Sequence, residues 1–262
     1  MAPTFEFIEL ETVNRVGWLR YNRPPVNAFS EQMLGEVLHG LETLLADDGV
    51  RVIALGSTNS RYFSAGADLK EFVGLGRNGM RRWAAAGHGI ARLLRASNKP
   101  LLAAIAGTAV GGGLEMTLHC DLRFAGETAR FGQPEINIGF IPPIATTQAL
   151  VRLIGRPQAI RYLYDGAMMN AEQALAIGLV DELVPDDEIA AHVQAYGETL
   201  AAKPALALAS IRQTITLGGS MNFESGLAME LDHVVNLAGT ADFEEGIDAF
   251  LNKRKPVWQD LP

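Results

Sequence analysis

The 262-residue chain is 48% apolar, contains one cysteine, Cys120, and carries a formal net charge of −8. This composition excludes a disulfide-stapled domain and argues against disorder, because a chain of this length buries a full core and a single thiol forms no internal disulfide. The net negative charge disfavours nucleic acid and anionic membranes as partners. No apolar run reaches the roughly 20 residues of a membrane-spanning helix, and the N-terminus resembles neither a signal nor a transit peptide, so we expect a cytoplasmic protein.

Up to about residue 185, short β-like runs alternate with helical patterns. The predicted strands cover residues 5–10, 16–21, 52–55, 101–105 and 122–125. Predicted helices start after Ser30, span residues 80–95, and begin at the triple glycine Gly111–Gly113. This order predicts an α/β protein with its ligand sites at the turns from strand to helix.

From Asn170 onward the pattern is almost wholly helical. Asn170 and Gln173 fit a capping box, and Gly178 fits a helix end. After a β-like run at 179–184, helical patterns cover residues 187–202, 204–217, 223–238 and 241–253. Their apolar faces must pack on the first part of the chain or on another subunit. We therefore predict a core of residues 1–186 and a helical assembly region of residues 187–262.

The triple glycine lies between an apolar strand and a helix. Glycine allows the backbone to approach a ligand, and the first N–H groups of the helix favour negative charge. A tight packing turn explains the same residues, so the motif alone leaves both interpretations open. It matches neither a P-loop nor a dinucleotide fingerprint.

Two glutamates accompany the glycine-rich segments. Glu115 falls in the first turn of the helix after the triple glycine, and Glu135 follows Pro134 in a predicted loop. Considered separately, each glutamate has an ordinary explanation: Glu115 would complement the dipole of its helix, and Glu135 would be an acidic residue in a surface loop. Two carboxyl groups in a water-poor pocket would instead shift each other's pKa and divide acid and base roles.

Seven blocks of the sequence occur in the order and spacing of the enoyl-CoA hydratase/isomerase (crotonase) family, and the chain is identified by them as a member. They are Asn22-Arg-Pro-Pro-Val-Asn-Ala-Phe-Ser, Phe63-Ser-Ala-Gly-Ala-Asp-Leu-Lys-Glu, Lys99-Pro with Ala103-Ala-Ile-Ala-Gly, Gly111-Gly-Gly-Leu-Glu-Met, Cys120-Asp, Phe131-Gly-Gln-Pro-Glu, and residues 171–181; the resemblance continues to Phe250-Leu-Asn-Lys-Arg-Lys-Pro-Val-Trp.

The resemblance implies a crotonase-like spiral of ββα turns with a C-terminal helical trimerisation region. It also implies that the backbone N–H groups of Ala67 and Gly112 form an oxyanion hole for an acyl-CoA thioester. Glu115 and Glu135 match the acid/base pair of the hydratases. In the resulting hypothesis, Glu115 activates water and Glu135 donates the proton to Cα.

The same resemblance implies contacts with coenzyme A, which is part of the substrate, so no separate cofactor is expected. The candidate residues for these contacts are Ala65, Asp68, Leu69, Lys70 and Lys253, with Lys253 serving a neighbouring subunit's ligand. The expected assembly is a homotrimer or homohexamer. The five histidines have no metal-ligand spacing, so we expect no metal site. Trp83 is interpreted first as a core residue and second as part of the acyl pocket.

The chain departs from the family at Pro142-Pro143-Ile144, where many hydratases carry a glycine-rich stretch. Pro143 removes an N–H group and Ile144 adds bulk, so we expect an altered acyl pocket. The reaction therefore stays open between enoyl-CoA hydration, Δ3,Δ2-enoyl-CoA isomerisation and other crotonase reactions. A non-catalytic acyl-CoA-binding subunit is the alternative from another class.

Overall fold

The computed structural model describes residues 4–259, which form a mixed α/β fold. The chain begins with an antiparallel pair of strands, β1 (Ile8–Val13) and β2 (Val16–Tyr21), followed by helix α1 (Glu31–Ala46). The Ser30 side chain caps α1 by accepting a hydrogen bond from the N–H of Met33 at 3.1 Å, as its position in the sequence predicts.

Three successive units of two strands and a helical segment then follow. The first contains β3 (Val52–Ser57), β4 (Tyr62–Ser64), α2 (Leu69–Phe72) and α3 (Gly76–Ala96). The second contains β5 (Leu101–Ile105), β6 (Thr108–Val110) and α4 (Gly112–Thr117). The third contains β7 (Leu122–Gly126), β8 (Arg130–Gly132), a 3₁₀ segment (Pro134–Ile138), α5 (Thr146–Ile154) and α6 (Arg156–Asp165). The chain continues through β9 (Met168–Asn170), α7 (Ala171–Ala176) and β10 (Glu182–Val184).

The two strands of each unit join different sheets. The first strands, β3, β5 and β7, join β1, β2 and β10 in a six-stranded sheet of order β1-β2-β3-β5-β7-β10. The second strands, β4, β6 and β8, join β9 in a four-stranded sheet of order β4-β6-β8-β9. Within these sheets β3, β5, β7 and β10 are parallel, as are β4, β6 and β8. This is the predicted spiral of ββα turns. It places the segments after β4, β6 and β8 side by side, because parallel strands end at the same edge of a sheet.

Both faces of the six-stranded sheet are covered. Alternate side chains of β3 point to opposite faces, so Ile53 packs in the main core and Val52 packs in a second apolar cluster. Helix α8 (Ile189–Ala201) supplies Ile189 and Val193 to that second cluster. The first predicted helix of the assembly region thus packs directly on the sheet.

The last three helices are α9 (Ala205–Thr216), α10 (Phe223–Ala238) and α11 (Ala241–Leu251). Arg212 anchors α9 to the core through the Asp121 carboxylate at 2.8 Å and the carbonyl oxygens of Leu94 and Ser97 at 2.8 and 2.6 Å. By contrast, α10 buries none of its residues. Its exposed apolar side chains recur at helical spacing and form one stripe; they are Phe223, Leu227, Leu231, Val234 and Val235.

Several elements differ from the sequence predictions. The first strand begins at Ile8 rather than at residue 5, and the run at 179–184 contributes only Glu182–Val184. The three-residue strands of the smaller sheet and helices α5 and α6 were not predicted. A strand of three residues is too short to show a periodicity. The capping box of Asn170 and Gln173 is confirmed, and among residues 4–259 no helix is long and apolar enough to cross a membrane.

Candidate active site

Two backbone segments, one after β4 and one after β6, face the same space. The N–H of Phe29 donates to the Gly66 carbonyl at 2.7 Å, and the N–H of Asp68 donates to the Phe29 carbonyl at 2.9 Å. This parallel bridge uses the peptide groups that flank Ala67, so the N–H of Ala67 points away from Phe29. Gly112 is the first residue of α4, and its N–H therefore has no acceptor within the helix.

A glycine brings these two segments together. Gly66 has a φ of +86°, and a Cβ atom at this position would lie 2.8 Å from the Val110 carbonyl oxygen and 3.3 Å from the Gly112 nitrogen. Both the left-handed backbone and the close approach require a residue without a side chain. Gly66 thus allows the Ala67 and Gly112 peptides to lie close to one another.

A cavity of about 210 Å³ lies at this junction. Its polar side chains include Glu135, whereas most of the other lining side chains are apolar or aromatic. Trp83 lines the cavity and contacts the Phe72 ring edge-to-face with 5.0 Å between centroids. The lining residues are Ala65, Gly66, Ala67, Leu69, Phe72, Trp83, Val110, Gly111, Gly112, Pro134, Glu135, Asn137, Ile138, Phe140 and Pro143.

Glu135 lies in the 3₁₀ segment after β8 and is partly buried. Burial raises the pKa of its carboxyl above the usual value. With its amide nitrogen facing the carboxylate, buried Gln133 donates to Oε1 and Oε2 of Glu135 at 3.2 and 3.0 Å. A Cβ atom on Gly111 would lie 2.7 Å from Glu135 Oε1, so the triple glycine also makes room for this carboxyl.

Glu115 is fully buried in α4. Its Oε2 accepts hydrogen bonds from the Ile144 N–H at 2.6 Å and from the Thr146 hydroxyl at 2.8 Å. Its Oε1 is buried and has no hydrogen-bond partner within residues 4–259. Burial raises the pKa of Glu115 to about 8; the hydrogen bond from Thr146 opposes this rise, and the negative charge of Glu135 adds to it. The neutral carboxyl is therefore the main form at pH 7.

Comparison with known proteins identifies the family of this chain. A model of the enoyl-CoA hydratase/isomerase family matches residues 11–261. The chain belongs to this family. It is 36% identical over 254 residues to a probable enoyl-CoA hydratase of Bacillus subtilis, covering 96% of this chain and 98% of the relative. It is also 36% identical to the 2,3-dehydroadipyl-CoA hydratase of Escherichia coli, covering 92% and 94% of the two chains.

Two solved structures share the fold over nearly the whole chain. An enoyl-CoA hydratase from Bacillus anthracis superposes with a TM-score of 0.93 at 30% identity, covering 98% of this chain and 100% of that one. The DspI protein of Pseudomonas aeruginosa gives a TM-score of 0.94 at 30% identity, covering 99% and 100%. The spiral core and C-terminal helices are thus those of the enoyl-CoA hydratase/isomerase family.

The residues assigned from the family resemblance do not all meet at the cavity. Ala65, Ala67, Leu69, Gly112 and Glu135 line it. Glu115 is not among the lining residues, but the negative charge of Glu135 acts on its carboxyl.

The charged residues assigned to coenzyme A lie outside the cavity lining. The Asp68 carboxylate binds Arg23 at 2.9 Å and caps the N–H of Lys70 at 3.2 Å. It is therefore engaged by the protein, and its contact with coenzyme A stays a prediction. Lys70 is exposed beside the cavity residues of α2, and Lys253 is exposed after α11.

The segment where the sequence departs from the family forms one wall of the site. Pro143 lines the cavity, and Ile144 is completely buried. A Cβ atom on Gly87 or Gly112 would lie 2.7 or 3.4 Å from the Ile144 side chain, which therefore fills the space between α3 and α4. The sequence predicted that this segment would alter the pocket. It did not identify Thr146 or Gln133 as partners of the glutamates, because only the folded loop brings them together.

Proposed function

We propose that the chain is an enoyl-CoA hydratase that adds water across the α,β double bond of an enoyl-CoA thioester. The observation that carries this proposal is the small apolar cavity that is lined by Ala67, Gly112 and Glu135, together with a second, buried carboxyl, Glu115, on which the charge of Glu135 acts. The names of relatives support it, including a crotonyl-CoA hydratase of Syntrophomonas wolfei at 33% identity.

The proposed oxyanion hole consists of the N–H groups of Ala67 and Gly112. Addition at Cβ or proton removal at Cα builds enolate charge on the thioester oxygen. Fixed backbone donors stabilise that charge without titrating, and loss of one such donor costs on the order of 10²–10³ in rate. Neither position needs a side chain, which suits the close approach that Gly66 permits.

Hydration requires one carboxylate to take a proton from water and one carboxyl to supply a proton to Cα. The sequence hypothesis gave the water to Glu115 and the proton to Glu135. Burial raises the pKa of both carboxyls, and the negative charge of Glu135 adds to the rise at Glu115, so ionisation of one carboxyl favours the protonated form of the other. We propose that the two carboxyls share one proton and divide these two roles; the assignment of the water to Glu115 and of the Cα proton to Glu135 stays a prediction. Each transfer contributes about 10²–10⁴ in rate.

We further propose that Lys70 and Lys253 bind the phosphates of coenzyme A, with Lys253 acting on a neighbouring subunit's ligand, and that no separate cofactor is needed. A homotrimer or homohexamer would cover the exposed apolar stripe of α10, since contiguous apolar surface of this kind marks protein interfaces. Cytoplasmic location is part of the same proposal.

One observation favours a second candidate, Δ3,Δ2-enoyl-CoA isomerisation. Of the two glutamates only Glu135 lines the cavity, and the free oxygen of Glu115 is buried. A single carboxylate that moves a proton between Cα and Cγ is sufficient for isomerisation. No water has to be bound between two carboxyl groups in that reaction.

The two reactions differ in the mass of the product. The chain should be incubated with a panel of 2-enoyl-CoA and 3-enoyl-CoA thioesters, and the products analysed by mass spectrometry. We expect 2-enoyl-CoA substrates to gain one water. Products of unchanged mass with a displaced double bond would identify an isomerase and overturn the hydratase proposal.

Glutamine substitutions separate one-carboxylate from two-carboxylate chemistry. In a hydratase, Glu115→Gln and Glu135→Gln should each lower kcat by at least about 10², and the double variant should fall little further because the pair acts as a unit. An isomerase should tolerate Glu115→Gln and fail with Glu135→Gln. A non-catalytic acyl-CoA-binding subunit would bind the thioester in all three variants and show no turnover in the unmodified chain. Glu127→Gln, at an exposed glutamate, is the matched control.

A further inference from the structure

A second cavity, the distal cavity, lies between α3 and the segment of residues 140–148 and has a volume of about 550 Å³. Phe140 and Pro143 line both this space and the cavity that contains Glu135, the catalytic cavity. On α3, Trp83 lines the catalytic cavity and the next residue, Ala84, lines the distal cavity. The two spaces therefore adjoin along a boundary that α3 and this segment form together.

One face of α3 supplies the helical wall of the distal cavity. Ala84, His88, Ala91, Arg92 and Arg95 line it, and their spacing of four, three, one and three positions places them on the same side of a helix. The two alanines leave space next to the boundary and along the wall. The polar side chains therefore lie further from the catalytic cavity than the apolar ones do.

The position of Arg92 on the helix sets its distance from the catalytic cavity. It follows Trp83 by nine residues, which is roughly 14 Å along the helix axis. Long side chains on a helix lean toward its N-terminus, so the Arg92 side chain leans back toward the boundary. Its guanidinium is thus placed to meet a group that extends out of the catalytic cavity by several bonds.

The lining of the distal cavity is basic. Among residues 4–259 it contains two arginines and a histidine but neither an aspartate nor a glutamate. Arg92 is exposed and has no hydrogen bond or ion pair within the described part of the chain. Arg95 is partly buried and donates to the Thr216 carbonyl at 2.8 Å and to the Ser220 hydroxyl at 3.0 Å. Both arginines therefore keep donors for an anion, since a guanidinium carries five N–H groups.

The local charge around these arginines is positive. Burial, and then the positive charges of Arg152 and Arg212, lower the pKa of Arg95. This concentration of positive charge stands on a protein whose formal net charge is −8. A partly enclosed basic region raises the local concentration of anions. The distal cavity is therefore suited to an anionic group.

The acyl group is the part of an acyl-CoA thioester that can bring an anion to this place. In the proposed site the thioester lies in the catalytic cavity, and the acyl chain begins there. The pantetheine arm separates the phosphates of coenzyme A from the thioester. A chain that crosses the boundary at Phe140 and Pro143 would pass Ala84 first and reach Arg92 with its far end.

We propose that the substrate is an enoyl-CoA thioester whose acyl chain ends in a carboxylate, and that Arg92, together with Arg95, binds this carboxylate in the distal cavity. Arginine suits the role because its planar guanidinium matches a carboxylate with two parallel hydrogen bonds. The inference rests on the proposed function and adds the class of acyl group. Hydration at Cα and Cβ leaves the terminal carboxylate unchanged, so Arg92 acts on specificity and mainly through KM.

The first test compares matched pairs of substrates that differ only at the end of the acyl chain. The pairs are 2-hexenedioyl-CoA with 2-hexenoyl-CoA, 2-octenedioyl-CoA with 2-octenoyl-CoA, and 2-decenedioyl-CoA with 2-decenoyl-CoA, all at one ionic strength because salt screens exposed charges. In the pair of best length, kcat/KM for the dicarboxylic substrate should be higher by about tenfold. Equal or lower kcat/KM for the dicarboxylic substrate in every pair would overturn the proposal.

The second test assigns the preference to Arg92. Arg92→Gln should remove the preference by raising KM for the dicarboxylic substrate, with the monocarboxylic substrate little changed. Arg92→Lys keeps the charge and should keep part of the preference. The matched control is Arg82→Gln, since Arg82 is exposed on another face of α3 and lines neither cavity. An equal loss on both substrates, as expected if Arg92 held a phosphate of coenzyme A, refutes the assignment.

Binding measurements keep this inference separate from the proposed reaction. Saturated thioesters cannot be hydrated, so isothermal titration calorimetry with adipoyl-CoA and hexanoyl-CoA, and with their longer counterparts, reports binding alone. The dicarboxylic thioester should bind about tenfold more tightly at the best length, and Arg92→Gln should abolish the difference. This binding pattern without hydration of any enoyl-CoA would refute the proposed function alone. Hydration without any preference for the carboxylate would refute the present inference alone.

Discussion

Glu115→Gln should make the folded state more stable at neutral and alkaline pH. Burial raises the Glu115 pKa from its usual 4.5 to about 8, so between these pH values the carboxyl keeps its proton in the folded chain and loses it in the unfolded chain. The contribution of Glu115 to the free energy of unfolding is fully present below pH 4.5 and is lost as the pH rises through 8. At 1.36 kcal/mol per pKa unit, the raised pKa lowers the free energy of unfolding by roughly 3 kcal/mol at pH 7 and by less than about 1 kcal/mol at pH 5. Glutamine has no such cost, and its amide places an oxygen at Oε2 and a donor at Oε1.

The assay is urea unfolding at pH 5, 6, 7 and 8, with the protein concentration held constant because the proposed assembly would contribute to apparent stability. The free energy of unfolding of Glu115→Gln minus that of the unmodified chain should increase by roughly 2–3 kcal/mol between pH 5 and pH 7. Glu127→Gln, at an exposed position, should show no such increase. A difference for Glu115→Gln that stays constant with pH would refute the inference that Glu115 is neutral in the folded chain.

Three further predictions concern the backbone donors, the exposed helices and the core. Gly112→Pro should keep the fold, since proline suits the first position of a helix, and should lower kcat by on the order of 10²–10³ through loss of the N–H. Gly112→Ala, whose methyl would lie 3.1 Å from the Phe29 ring, should lower kcat less because it keeps the N–H. Equal activity of Gly112→Pro and the unmodified chain would exclude the Gly112 N–H as a donor. Leu231→Arg should reduce the proposed trimer or hexamer to smaller species in analytical ultracentrifugation, because it places charge in the exposed stripe of α10. An unchanged sedimentation coefficient contradicts this. Arg212→Met should lower the free energy of unfolding by about 1–3 kcal/mol, because it removes the charged partner of the partly exposed Asp121 carboxylate, which keeps its hydrogen bond from the Leu101 N–H. An unchanged free energy of unfolding in urea counts against it.

The sequence predicts the larger elements well because their signals are local. Ser30 marks the start of α1, and the triple glycine marks the start of α4 and places Glu115 in its first turn. These features depend on residues close together in the chain, where propensity and spacing carry information.

The parts that were missed depend on contacts between distant residues. The donors to Glu115 come from residues 29 and 31 positions further along the chain. They reach it only because Ala145 adopts a left-handed backbone, with a φ of 64°, immediately before α5. No periodic pattern reveals such a turn at an alanine, which rarely adopts this conformation. The raised pKa of Glu115 likewise follows from burial rather than from residue type.

The pairing of β4 with β6 has a consequence for how this site can diversify. Tyr62 pairs with Thr108 and Ser64 with Ala109, so the proposed donors at Ala67 and Gly112 follow neighbouring strands of one ladder. Adjacent strands lie about 4.8 Å apart whatever their side chains are. Substitutions at residues 142–146, which form one wall of the cavity, can therefore change the acyl group that is accepted or the pKa of Glu115, while the backbone keeps the two N–H donors at a fixed separation. New acyl specificities should thus arise by side-chain replacement in this wall, with little effect on thioester activation by the two donors.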